Sequence, residues 1–269
     1  MKKLNIMYFS PTSTTKRLIE VIGERMLENS GIERAINHNF TLPKDREKAL
    51  EFDENDILLI GVPVYAGRVP NILLKYLNKI KGNNTLAVPV VVYGNRHYDD
   101  ALIELNDILS DNGFRVIAGG AFIGEHSFSK TLAKDRPDNK DLSIGREFAD
   151  KISKKLEKET IPTIEVKGNR PYRPYYKPRN KEDKPVDIRK VMPKTNDNCI
   201  DCKICAEICP MGSIPYNDVK AMIGICIKCC ACVKLCPSHA KYFDDLDYLR
   251  HKRELEEKCI DRKEPEYFF

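Results

Sequence analysis

A chain of 269 residues is long for one domain and suits a medium domain followed by a small one, and 42% apolar content suffices for a real core. Its 45 basic and 40 acidic residues leave a net charge of +5, too mild to imply a nucleic-acid partner. The opening MKKLNIMYFSPT lacks the apolar stretch of an export signal, and no apolar run approaches the roughly 20 residues of a spanning helix, so a soluble cytoplasmic protein without membrane insertion is expected.

Residues 1–160 alternate strand-like and helix-like segments, judged by hydrophobic period. Leu4–Phe9 reads as a strand, and Lys16–Glu28 as a helix with Leu18, Ile22 and Met26 on one face. Arg34–Phe40 and Asp56–Val62 are further strands, with a short polar helix predicted near Lys44–Leu50. Pro70 opens a helix over Asn71–Lys79. Leu86–Tyr93 is a buried-strand run, and Asp99 caps a helix over Asp100–Ser110 with an apolar stripe of Ala101, Leu102, Leu105, Ile108 and Leu109. Phe114–Phe122 is the fifth strand, and Ile144, Phe148, Ile152 and Leu156 mark a last helix. Five strands alternating with helices predict a parallel sheet covered on both faces. Two doubly wound strand orders fit this pattern.

Residues 161–190 break the pattern and read as a linker. Proline is interspersed with Tyr172, Tyr175, Tyr176 and many basic residues; residues 161–195 hold ten Lys/Arg against four Asp/Glu. The segment is expected to be extended, almost free of regular structure, and in contact with an acidic cofactor or partner. Residues 191–240 form a small second domain, and 241–269 a charged tail that is partly helical.

All ten cysteines lie at or beyond Cys199. Without an export signal, metal ligation is the default reading. Cys199, Cys202, Cys205 and Cys209 precede Pro210, and Cys226, Cys229, Cys232 and Cys236 precede Pro237. Each set reads C-x2-C-x2-C-x3-C-P, and the second repeats the first at an offset of 27 residues. Two-residue gaps wrap three thiolates around three corners of an iron–sulfur cubane. The competing reading is a pair of structural zinc sites, which usually pair two C-x2-C knuckles across a longer gap. Ile200, Ile204, Ile208, Ile214, Ile223, Ile225, Ile227, Val233 and Leu235 are expected to pack a dry shell. Cys230 and Cys259 fall outside the spacing and are expected to be free thiols. The double run resembles a bacterial two-cluster ferredoxin. That resemblance implies two [4Fe–4S] clusters, one on Cys199, Cys202, Cys205 and Cys236, the other on Cys226, Cys229, Cys232 and Cys209.

Between the first strand and the first helix stand Ser10, Pro11, Thr12, Ser13, Thr14 and Thr15, five of which carry hydroxyls. At a helix N-terminus these suit a phosphomonoester; a Ser/Thr-rich cap without a ligand fits them equally. No G-x-x-x-x-G-K run supports a nucleoside triphosphate site. The S-x-T-x-x-T pattern is similar to the FMN phosphate loop of flavodoxins. The segments Pro63, Val64, Tyr65, Ala66, Gly67, Arg68 and Tyr93, Gly94, Asn95, Arg96, His97, Tyr98 match the positions of loops that hold the flavin ring there.

End to end, the chain resembles the single-chain flavodoxin–ferredoxin fusions of anaerobic bacteria, on VPVYAGRVP, YGNRHYDDAL and FIGEHSFS. The resemblance implies an α/β flavodoxin-like domain, a five-stranded doubly wound parallel sheet, followed by a small α+β ferredoxin-like domain. It also implies Tyr65 stacked on the flavin, Arg68 near its pyrimidine edge and His97 at the ring edge. Ser13 stands where flavodoxins commonly place glycine, and a positive φ there would cost about 1 kcal/mol or more. The expected function is electron transfer between FMN and two [4Fe–4S] clusters and on to a redox partner protein or small-molecule donor or acceptor. One alternative is a flavin-dependent reductase of a specific small substrate, its pocket lined by His97, Tyr98, Glu125 and His126. Another is an iron–sulfur redox or oxygen sensor with an empty sheet domain.

Overall fold

A computed structural model describes residues 2–269. Its first part runs β1 (Lys3–Tyr8), α1 (Thr14–Asn29), β2 (Arg34–Asn39), β3 (Glu51–Phe52), β4 (Asp56–Pro63), α2 (Asn71–Leu77), β5 (Lys81–Gly82) and β6 (Thr85–Tyr93). It continues with α3 (Ala101–Asp111), β7 (Phe114–Val116), β8 (Gly119–Ile123) and α4 (Asn139–Leu156). Then come β9 (Lys194–Thr195), α5 (Ile204–Glu207), α6 (Ala231–Lys234), β10 (Lys241–Tyr242), α7 (Leu246–Lys258) and β11 (Glu266–Phe268).

Strands β2, β1, β4, β6 and β8 lie side by side in that order, all parallel. Counting only these five, the order is 2-1-3-4-5, which is the flavodoxin-like choice between the doubly wound topologies. The central strands β4 and β6 are covered on both faces, which is why their sequences are nearly unbroken apolar runs. Alternate residues part to opposite sides. Ile57 and Leu59 pack with Leu18, Ile22, Phe148 and Ile152 of α1 and α4. Leu58 and Ile60 pack with Leu73, Leu77, Leu102 and Leu105 of α2 and α3. The carboxyl ends of β1, β4, β6 and β8 therefore meet along one edge, where an open α/β sheet binds its ligands.

Several expectations need correction. The predicted strand Phe114–Phe122 is two strands, because one extra residue is accommodated between the Ala87–Val116 and Val90–Gly120 pairs with β6. Lys155 Nζ donates to the Ile117 carbonyl at that break, at 2.7 Å. The helix predicted near Lys44–Leu50 is a single 3₁₀ turn, Pro43–Arg46. Arg46 is instead drawn to the carbonyls of Phe40, Thr41 and Pro210. The charged tail supplies α7 and then β11, which pairs antiparallel with β8 and covers that edge of the sheet.

The basic linker is almost free of regular structure. Its residues 164–176 are strapped to the first domain. Arg170 and Tyr172 bind Asp107, and the Asn169 and Arg173 amides bind Asp100. The Tyr175 hydroxyl donates to the Val69 carbonyl at 2.7 Å. Arg68 donates to the buried Glu104 carboxylate and to the Arg173 carbonyl, with its guanidinium against the rings of Tyr172 and Tyr175. Acids at α3 thus take Arg170 and Arg173, whereas Arg179, Lys184 and Arg189 pair with Asp183, Glu182 and Asp187 of the linker itself.

Candidate functional site

The hydroxyl loop is built by β1 and closed by α1. The first helical backbone bond of α1 runs from Arg17 N–H to the Ser13 carbonyl, so the amides before it lie outside the ladder. One of these, Lys16 N–H, is taken by the Ser10 hydroxyl at 3.0 Å. Thr12 and Thr14 pair through their hydroxyls at 3.2 Å. Ser13 adopts φ 62° and ψ 0°, the left-handed conformation that favours glycine. Ser13→Gly is therefore expected to stabilise the flavin-free protein by about 1 kcal/mol, read as a higher urea midpoint at unchanged slope.

The loop forms one wall of a cleft of about 470 Å³ along the carboxyl edge of the sheet. Of the residues singled out from the sequence, Ser10, Thr12, Thr14, Thr15, Pro63, Val64, Tyr65, Tyr93 and Gly94 line it. Burial first, then Glu266, pushes the Tyr93 phenol up to about 12, and burial raises Tyr65 well above the usual range. Ser13, Ala66, Gly67, Arg68, Asn95, Arg96, His97 and Tyr98 do not line it. Arg68 is committed to Glu104 and the strap. Asn95 holds the tail, donating to the carbonyls of Cys259 and Asp261. Arg96 pairs with Asp99 beneath Tyr176, the buried Tyr98 binds Glu266, and His97 stacks on Tyr98. The second expected ring loop therefore gives the cleft only Tyr93 and Gly94; the rest of it anchors the strap and the tail.

Glu125 and His126, which stand beyond the last parallel strand, do line the cleft, as does Cys229. Position after a strand end was the one signal for the first two. Cys229 gave none, because it arrives from the cysteine module. That module is held to the cleft rim by Lys234 of α6, which binds the Glu125 carboxylate and donates to the His126 carbonyl at 2.8 Å.

Within the module, the 27-residue repeat is visible in the backbone. Asp201 and Lys228, Lys203 and Cys230, and Gly212 and His239 share positive φ at matching positions. Helices α5 and α6 match likewise. The Ser213 amide reaches Cys209 Sγ at 3.4 Å, and the Ala240 amide reaches Cys236 Sγ at 3.3 Å. Two clefts result. One, of about 370 Å³, is lined by Cys226, Cys229, Cys232 and Cys209, with Cys230 beside them. The other, of about 300 Å³, is lined by Cys199, Cys202, Cys205 and Cys236, with Lys203 and Lys241. Each cleft takes its fourth thiol from the other run. Among the described residues, no group of three or more His, Cys, Asp or Glu side chains is arranged to hold a metal ion. Burial raises the thiols of Cys205, Cys226 and Cys229. At Cys236 burial is opposed and outweighed by the Ser238 hydroxyl and by backbone amides, so its thiol lies below the ordinary range.

Cys230 and Cys259 form no disulfide. Cys230 is buried, with its sulfur 3.4 Å from the Tyr248 hydroxyl. The expected dry shell is only partial: Ile214 is buried, but Ile200, Ile223 and Ile225 are 67%, 71% and 65% exposed. Such short loops wrapped around two clefts have no inner layer left for those side chains.

No helix among the described residues is long and apolar enough to cross a membrane. No protein-family model matches this chain, and no curated protein does. Among solved structures it is similar to an archaeal flavodoxin, at 16% identity and TM-score 0.40, over 59% of this chain and 100% of that one. It is similar to oxidised flavodoxin 1 from Bacillus cereus, at 15% identity and TM-score 0.42, over 57% and 98%. It is also similar to a Fusobacterium nucleatum flavodoxin bound to flavin mononucleotide, at 17% identity and TM-score 0.39, over 59% and 99%. The strand order of the sheet, independent of these overlaps, gives the first domain a flavodoxin-like α/β fold.

Proposed function

We propose that this chain is an electron-transfer protein that moves electrons between FMN in the sheet cleft and two [4Fe–4S] clusters in a ferredoxin-like module, and from there to an external redox partner. A bound flavin exchanges electrons singly or in pairs, whereas each cluster handles one at a time. The observation that carries the proposal is Cys229, which lines both the hydroxyl-loop cleft and the cleft of Cys209, Cys226 and Cys232. One residue bordering both spaces makes that cluster site the flavin-side one. The site of Cys199, Cys202, Cys205 and Cys236, whose Cys202 is exposed, then faces the outside partner.

Residues at both sites support this reading. Four thiols surround each module cleft, and backbone amides at 3.3–3.4 Å from Cys209 and Cys236 sulfurs suit thiolates that share charge with iron. At the sheet edge, Thr12, Thr14 and Thr15 with the first amides of α1 would hold the phosphate, and Tyr65 and Tyr93 would flank the ring. The test is titration of flavin-free protein with FMN, alongside iron and sulfide quantitation. Saturable binding of one FMN at micromolar concentration is expected, loosened by about 1 kcal/mol in Thr15→Ala for one lost hydrogen bond. No saturable binding would leave an iron–sulfur protein with an empty sheet domain.

A further inference from the structure

We propose that His126 contacts the flavin and donates a hydrogen bond from its Nε2–H to the polar edge of the ring; this rests on the reading of the sheet cleft as an FMN site. His126 follows β8, and its loop is fixed at several points. Glu125 N–H donates to the Arg136 carbonyl at 2.9 Å, and His126 N–H to the Leu132 carbonyl at 3.2 Å. The Ser129 hydroxyl accepts from the Thr131 and Leu132 amides at 3.0 and 2.9 Å. The imidazole lies against the Gly94 backbone so closely that a Cβ there would fall 2.4 Å from His126 Cδ2 and 2.9 Å from its Cα. The ring therefore stands on the cleft wall between the ends of β6 and β8.

Its donor is assigned by the hydrogen-bond pattern. Nδ1 accepts the Phe128 N–H at 3.1 Å, so the neutral imidazole carries its proton on Nε2. Among the described residues no protein acceptor meets that Nε2–H. Burial pushes His126 down to about 3, and Lys234, His251 and Arg96 act in the same direction. The neighbouring Glu125 carboxylate is taken by Lys234. The result is a neutral N–H dipole, fixed before any ligand arrives. A reduced ring carries more electron density on its polar edge than an oxidised one, so a donor held on the cleft wall favours the reduced form without reorganising.

The experiment compares the full chain with His126→Phe and His126→Met, each loaded with FMN, by affinity and by the two-electron potential of the flavin. Oxidised FMN is expected to bind all three about equally. Reduced FMN is expected to bind the two variants about tenfold more weakly for one lost hydrogen bond, a fall of ~30 mV in potential. His126→Gln, which restores an N–H donor, is expected to recover part of the loss, which a purely structural role would not show. The flexible Met side chain keeps the test open if Phe distorts the loop. Unchanged potentials in a folded variant would overturn the role of His126 alone. Failure of the unaltered protein to bind FMN would overturn the reading of the cleft and this role with it.

Discussion

On the proposed ligation, replacing Cys209 by Ala is expected to remove the cluster assigned to Cys226, Cys229 and Cys232, and to spare the one assigned to its own sequence run. Cys236→Ala is expected to do the reverse. The reason is the crossed lining of the two module clefts: Cys209 stands with the second run and Cys236 with the first. A cubane offers four iron corners, so losing one protein thiolate opens a corner to water and lowers affinity for the whole cluster. Each variant should retain about half the iron and sulfide of the parent, because the other site keeps all its ligands. The two spectra should also differ. The Cys209 variant should lose electron exchange between flavin and module, since the proposed cluster it loses would be held by Cys229, which also lines the sheet cleft. The Cys236 variant should keep that exchange and lose transfer to an external acceptor. Iron and sulfide assays with low-temperature electron paramagnetic resonance of the reduced proteins measure this. Loss of both clusters from either single variant would show instead that the module folds only when both are present, as small metal domains can.

Much of this architecture was legible because its signals are local. The alternation of apolar strands with striped helices is written every few residues, as in Leu58 and Ile60 facing one way and Ile57 and Leu59 the other. The cysteine duplication is equally local, and its backbone counterpart appears at Lys203 and Cys230. What stayed hidden depends on partners far along the chain. Asn95 binds carbonyls at Cys259 and Asp261, and Tyr98 binds Glu266, so part of a loop that matched a flavin-binding position by its place after a strand also holds the tail. No period records such contacts. Arg68 is a similar case: its fate is decided by the buried Glu104 and by two tyrosines of a segment that composition marked as an extended linker. The docking of the module on the cleft was beyond local pattern altogether, since Lys234 meets Glu125 across more than a hundred residues.

Lys234→Glu is expected to slow electron exchange between flavin and module sharply while leaving FMN affinity and iron content near those of the parent. Lys234 is 13% exposed and Glu125 26%, so the pair is largely shielded from water at the rim of the cleft. Charge reversal removes the ion pair and the 2.8 Å bond to the His126 carbonyl, and it sets two carboxylates against each other. Losing charge-assisted hydrogen bonds of this kind costs about 1.5–3 kcal/mol, which is roughly tenfold to a hundredfold in the docked population. Other contacts, among them Arg46 with the Pro210 carbonyl at 2.6 Å and Phe128 packed with Phe243 and Tyr248, keep the module from separating completely. The exchanged pair, Lys234→Glu with Glu125→Lys, should restore much of the rate, because it rebuilds the attraction in reverse. Flash reduction of the flavin, followed at cluster wavelengths, measures the rate, and amide exchange of residues 124–132 measures docking. If the single variant exchanges electrons as fast as the parent while those amides lose protection, the rigid seating of the module would be irrelevant to transfer, and the short path through Cys229 would have to be abandoned.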